Sequence, residues 1–126
     1  MKNIKKSICW LGKAAKQNVK QAYYNLAELY LKGHGVKSDT VKAVQYYEEA
    51  AKLNYVDAQR KLGFLYFQGR EIKQNLVQSY LYLSLAADHN DISSINMLSV
   101  VSKQMTPQQL KQANDLVKNY KFASKN

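Results

Sequence analysis

The sequence contains few of the residues that build disulfides, metal sites or catalytic centres. Its 126 residues include one cysteine, which permits no internal disulfide and is typical of a protein in a reducing compartment. The two histidines, His34 and His89, stand far from Cys9 and form no cluster at metal-ligand spacing. The glycines lack the spacing of a phosphate-binding loop that follows a strand. We therefore expect no enzymatic activity, no metal and no cofactor.

Long hydrophobic runs are also missing. The longest stretch without a charged residue covers positions 74–87, whereas a membrane-spanning helix needs roughly 20 mostly apolar residues. The lysine-rich start resembles the first part of a signal peptide, but its apolar segment, residues 7–12, is too short and ends at Lys13. We expect a single domain over residues 1–126, located in the cytoplasm, with no transmembrane segment.

The sequence does contain an internal repeat with a period of 36 residues. Such a period indicates stacked helical units rather than one closed core. The register defines repeats at 20–55 and 56–91, a half-repeat at 1–19, a degenerate half-repeat at 92–105 and a capping helix at 106–121. The recurring residues are Ala22, Leu26, Tyr30, Gly33, Ala50 and Ala51, which return as Ala58, Leu62, Tyr66, Gly69, Ala86 and Ala87.

Within each repeat, apolar residues recur at intervals of three and four, which predicts a pair of helices. Gly33 and Gly69 stand where the first helix should end in a left-handed residue, and Asn54 and Asn90 stand at the end of the second. In the third unit, Met105 replaces the glycine, so the last pair should turn differently. Thr106-Pro107-x-Gln109 predicts a capping box that starts a final helix running to about residue 120.

Both halves of the repeat resemble the Sel-one-like repeat, a relative of the tetratricopeptide repeat. This resemblance implies an all-α fold: a right-handed α-α superhelix, or solenoid, of antiparallel helix pairs, here with about seven helices. It also implies an adaptor or scaffold function, with the first helices lining a concave face. The matching strings are Leu26-Ala27-x-x-Tyr30-x-x-Gly33-x-Gly35-Val36 and Ala43-x-x-Tyr46-Tyr47-x-x-Ala50-Ala51.

If the first helices line a concave face, the residues between their core anchors should point into it and bind a peptide segment or a partner protein. Aromatic residues and arginine are enriched where binding energy concentrates. Alternatively, Phe64 and Phe67 pack under the neighbouring helix. Tyr23, Tyr24, Tyr55 and Tyr80 lie outside the shared register and are further candidates for contact. The predicted partner-binding residues are Tyr24, Glu28, Leu31, Arg60, Phe64, Phe67, Asn96 and Val100.

The net charge of +10 comes from the two ends, because residues 21–102 carry equal numbers of basic and acidic side chains. A nucleic-acid-binding face on the repeats is therefore not expected. The lysine-rich ends can be solvated caps that keep the protein monomeric. The alternative is a module that binds RNA or an anionic surface through these ends, including a basic amphipathic first helix. The chain could also be a piece of a longer array.

Overall fold

The computed structural model describes residues 19–33 and 39–124, with side chains to residue 121. Within these ranges it contains six α-helices and no strand. The helices are α1 (Val19–Lys32), α2 (Thr40–Lys52), α3 (Val56–Gln68), α4 (Leu76–Ala87), α5 (Ile92–Lys103) and α6 (Pro107–Ser124).

Short polar side chains start four of these helices. The side chains of Asp39, Asn75 and Asp91 accept hydrogen bonds from backbone N–H groups in the first turns of α2, α4 and α5. These bonds satisfy donors that have no partner inside the helix. At α6, Thr106 Oγ1 accepts from the Gln109 N–H at 3.1 Å and Gln109 Oε1 accepts from the Thr106 N–H at 2.9 Å. The predicted capping box is confirmed.

Residues with positive φ end the helices of the two complete repeats. Gly33 and Gly69 have φ of 72° and 66°, and Asn54 and Asn90 both have φ of 63°. Glycine and asparagine are the residues that adopt this left-handed conformation most readily. The third unit ends differently, as predicted: Met105, which stands at the glycine position, has no positive φ, and Gln104, the residue after α5, has a φ of −93°.

The chain forms two compact units, Met1–Ala58 and Gln59–Asn126, whose boundary falls within α3. In the first unit, α1 packs against α2. Small residues allow close packing there, since Ala27, Ala43, Ala50 and Ala51 are all fully buried.

In the second unit, α4 packs against both α5 and α6. Apolar side chains of α6 face this core, since Ala113 lies inside it and Leu110 and Leu116 pack against it. The core cluster of this unit consists of Val77, Leu83, Val101, Met105 and Ala113.

The sequence predicted about seven helices, the last of them ending near residue 120. The final helix continues to Ser124 rather than ending near residue 120. Residues 1–18, which contain the helix expected in the half-repeat 1–19 and Cys9, lie outside the described residues, as does His34. Among the described helices, none has the length and apolar content that crossing a membrane requires.

Candidate functional site

The eight predicted binding residues lie on the first helices at equivalent positions of the repeat. Tyr24, Glu28 and Leu31 lie on α1 in the first unit. The other five lie in the second unit, on α3 and α5. Their spacing of three or four residues places those of each helix along one side of it. The residues on α3 and α5 are Arg60, Phe64, Phe67, Asn96 and Val100.

On α1, Tyr24 is half-buried in a small aromatic cluster. Its ring lies 5.5 Å from the ring of Tyr47 at an interplanar angle of 66°, and 5.3 Å from the ring of Tyr55 at 57°. Edge and tilted arrangements of this kind are favourable for aromatic pairs. Part of Tyr24 and Leu31 remains accessible, so both can contribute apolar surface to a contact.

Glu28 is tied to a buried tyrosine. Tyr47 is fully buried, and its hydroxyl donates a hydrogen bond to Glu28 Oε1. Burial, and then the Glu28 carboxylate, raise the pKa of Tyr47 far above its usual value. Lys32 Nζ lies 3.0 Å from the other carboxylate oxygen of Glu28. Glu28 therefore stabilises the α1–α2 packing, whatever else it contacts.

A second aromatic group joins α1 and α2. Tyr46 stacks between Tyr23 and Tyr30, with ring centroids 6.0 Å and 5.7 Å away. Lys42 Nζ lies 5.1 Å from the centre of the Tyr30 ring, within the range of a cation–π interaction. Tyr23, a candidate for partner contact from the sequence, therefore stacks between the two helices of its own pair.

On α3, Arg60 holds the start of α5. Arg60 Nη1 lies 2.7 Å from Asp91 Oδ1, while Asp91 Oδ2 accepts from the N–H and the hydroxyl of Ser94 at 3.1 Å and 2.5 Å. Burial alone would raise the pKa of Asp91, but the Ser94 hydrogen bonds and the Arg60 charge outweigh it and lower that pKa. Arg60 therefore has a structural role within its own unit.

The two phenylalanines of α3 are half-buried against the core. Phe64 and Phe67 pack against the cluster that contains Val77 and Leu83, together with Tyr80 of α4. This is the arrangement in which they pack under a neighbouring helix. Both side chains remain partly accessible.

On α5, the predicted residues Asn96 and Val100 are exposed. Val100 keeps 42% of its surface accessible, and Ile92 and Ile95 on the same helix keep 73% and 46%. Asn96 and Val100 are therefore the predicted residues with the most surface available to a partner, and Ile92 and Ile95 add exposed apolar surface on the same helix. Their substitution should disturb packing least.

Sequence reasoning missed the polar contacts that support these helices. The Tyr47–Glu28 and Arg60–Asp91 pairs join residues 19 and 31 positions apart, so no local pattern could reveal them. Asp91 did have a local signal, because Asp-x-x-Ser before an apolar helix is a typical N-terminal cap. In the described part of the chain, no group of three or more potential ligands is arranged to hold a metal ion.

The paired helices and their repeated end residues define the chain as an all-α helical repeat protein. The family model for the Sel1 repeat matches residues 1–19, 20–55 and 56–91. The chain therefore belongs to the Sel1 repeat family. A comparison with curated protein sequences gave no significant match.

Two solved structures resemble this chain over most of its length. One is a protective antigen of uropathogenic Escherichia coli strains that displays an SLR fold, with 31% identity over 92% of this chain and a TM-score of 0.80. The other is a Sel1 repeat protein from Oxalobacter formigenes, with 31% identity over 79% of this chain and a TM-score of 0.70. Both are longer, since the aligned part covers 25% and 41% of their chains, respectively.

Proposed function

We propose that this chain is an adaptor that binds a peptide segment or a partner helix through the first helices of its repeats. Sel1 repeat proteins are generally helical scaffolds for protein interaction. The observation that carries the proposal is the exposed pair Asn96 and Val100 on α5, which occupies the register positions of Arg60 and Phe64. An exposed aliphatic beside an amide offers both apolar area and a hydrogen-bonding group to a partner.

The structure indicates which residues can test this proposal without unfolding the protein. Arg60 and Phe64 are poor targets, because one pairs with Asp91 and the other packs against the core. Val100 is a better target, since it is exposed and lies on the predicted face. Val41 of α2, which is 68% exposed and is not among the predicted contacts, provides a matched control.

The test is capture of partners by the intact chain and by the variants Val100→Asp and Val41→Asp. A charge placed in an apolar contact loses binding, because it must be desolvated without a counter-charge. We expect Val100→Asp to reduce capture of the same partner by about tenfold or more, and Val41→Asp to leave it nearly unchanged. Both variants should keep a melting curve close to wild type. Equal capture by the two variants would argue against the proposed face.

The second candidate function is binding of RNA or another anionic surface through the basic ends. The described residues 59–124 carry eight basic and four acidic side chains, so part of the charge excess lies in the second unit. Counterion release makes such binding fall steeply with salt, whereas an apolar contact depends on salt only weakly. Capture at two salt concentrations therefore separates the two functions.

A further inference from the structure

The two complete repeats show how a first helix packs against the second helix of its own pair. In the first unit, Tyr23 and Tyr30 of α1 stack on Tyr46 of α2, and Ala27 between them is fully buried. The positions of Tyr23, Ala27 and Tyr30 lie along one side of α1. We call this side of a first helix its pairing side.

The second unit repeats the arrangement at equivalent positions. On the pairing side of α3, Tyr66 stacks on Tyr82 of α4 with ring centroids 6.2 Å apart. A Cβ added to Gly63 would overlap the side chain of Leu83. The hydroxyl of Ser79 donates to the Gly63 carbonyl oxygen at 2.7 Å.

The pairing side of α5 is open. Its residues at the same register positions are Ile95, Ser99 and Ser102, and the first two are exposed. Ser102 is half-buried, and its hydroxyl donates to the Ser99 carbonyl oxygen at 3.1 Å. The helix that follows, α6, packs against α4 and leaves this side uncovered.

The repeat register indicates what fits an open pairing side. The α4 residues that contact α3 there are Ser79, Tyr82 and Leu83. Two periods earlier, the same register positions hold Ser7, Trp10 and Leu11. The family model for the Sel1 repeat matches residues 1–19, and the 36-residue register aligns this segment with the second helices of the repeats.

We propose that the segment 1–19 of a second copy docks on the pairing side of α5, so that chains associate head to tail. Its residues Ser7, Trp10 and Leu11 hold the register positions of Ser79, Tyr82 and Leu83, the residues with which α4 covers α3. This contact joins two different surfaces, so it can be repeated from copy to copy. It is separate from the partner-binding face and does not depend on it.

Both docking surfaces are positively charged and repel each other, so the association should depend on salt concentration in a characteristic way. Residues 1–20 carry six lysines and no acid, and the described residues 59–124 are also basic in excess. Added salt screens the repulsion, while apolar burial is not weakened by it. Association should therefore strengthen with salt, opposite to the behaviour of a complex held by lysine–phosphate contacts.

The experiment is sedimentation velocity of the full chain over a range of concentrations, combined with fluorescence of Trp10, the only tryptophan. We expect the sedimentation coefficient to rise with concentration and the Trp10 emission to shift to shorter wavelength as the indole is buried. Ser99→Arg should raise the concentration needed for association by about tenfold or more. Ser93→Arg, on the opposite side of α5 and also exposed, should leave it unchanged.

Mixing two variants tests the direction of the contact. Ser99→Arg blocks the α5 surface and Trp10→Asp blocks the segment surface, so each variant alone should be monomeric. A mixture of the two retains one intact contact and should form dimers that grow no further. The proposal is overturned if the wild-type chain stays monomeric in high salt at its highest soluble concentration. It is also overturned if Ser93→Arg weakens association as much as Ser99→Arg, or if the mixture stays monomeric.

Discussion

At the scale of single residues, one repeat position shows how neighbouring helices decide what a side chain does. Ala27, Gly63 and Ser99 are all small and stand 36 residues apart. The first two are buried between the helices of their own pairs, whereas Ser99 is exposed. The small residue is thus required by close packing in the complete repeats and is not required in the third unit.

The first prediction compares Gly63→Ala with Ser99→Ala. Alanine favours a helix over glycine by about 1 kcal/mol, but overpacking a filled core typically costs about 1–3 kcal/mol. Because the added methyl at position 63 would overlap Leu83, we expect Gly63→Ala to lower the free energy of unfolding by about 1 kcal/mol. Ser99→Ala should change it by less than about 0.5 kcal/mol. Urea unfolding measures both, and a more stable Gly63→Ala would contradict the packing.

At the scale of helices, the ends decide where one element stops and the next begins. The complete repeats stop their helices with left-handed Gly or Asn residues. In the third unit Met105 takes the place of a glycine, and it lies 8% exposed in the core cluster of the second unit. The side chain of Met105 therefore anchors the connection between α5 and α6 in the core, and α6 packs against α4.

The second prediction concerns the asparagines that end α2 and α4. An L-residue with a Cβ in the left-handed conformation costs about 1–2 kcal/mol, which glycine avoids. We expect Asn54→Ala and Asn90→Ala each to lower the free energy of unfolding by about 1 kcal/mol, and the glycine variants to stay near wild type. Gln104→Ala, at a helix end with ordinary φ, is the control and should be nearly neutral. If the glycine variants lost as much free energy of unfolding as the alanine variants, the cause would be the missing asparagine side chain rather than the left-handed backbone conformation.

At the scale of the whole molecule, ionisable groups in both units shape the dependence of stability on pH. The pKa of Asp91 is lowered in the folded chain, so its contribution is present above its unfolded pKa of about 3.9 and is lost as pH falls. The pKa of Tyr47 is raised by burial first, and that of Tyr55 by burial and Asp57. Their contributions are present below about pH 10 and are lost as pH rises.

The third prediction is a stability plateau between about pH 5 and pH 9, with a loss on each side. Asp91→Asn should lower the free energy of unfolding by about 1 kcal/mol at neutral pH and flatten the acid side, because the Arg60 pair is lost. Tyr47→Phe should flatten the alkaline side. Urea unfolding at a series of pH values measures these changes. An acid side that is as steep in Asp91→Asn as in wild type would show that other carboxylates cause it.

Much of the fold follows from the sequence, because its signals are local. The period of 36, the glycines and asparagines at helix ends and the Thr106–Gln109 capping box are all confirmed by the helices and their φ angles. The family follows from the same residues, since the Sel1 repeat matches the ranges of the register. Within the predicted site, the exposure of Asn96 and Val100 could be predicted from the sequence, because it follows from the helical pattern and from their position between the core anchors.

The tertiary structure decided how the other predicted site residues are used. Glu28 accepts from buried Tyr47, Arg60 pairs with Asp91, and Phe64 packs against the core of its unit. Each of these contacts involves a residue outside the helix of the predicted site residue. The spacing of residues within one helix therefore does not predict it. Backbone conformation depends on near neighbours in the chain, and the sequence by itself determined the helix pairs and their ends. Burial and pairing depend on which distant side chains meet, and only the tertiary structure decided those.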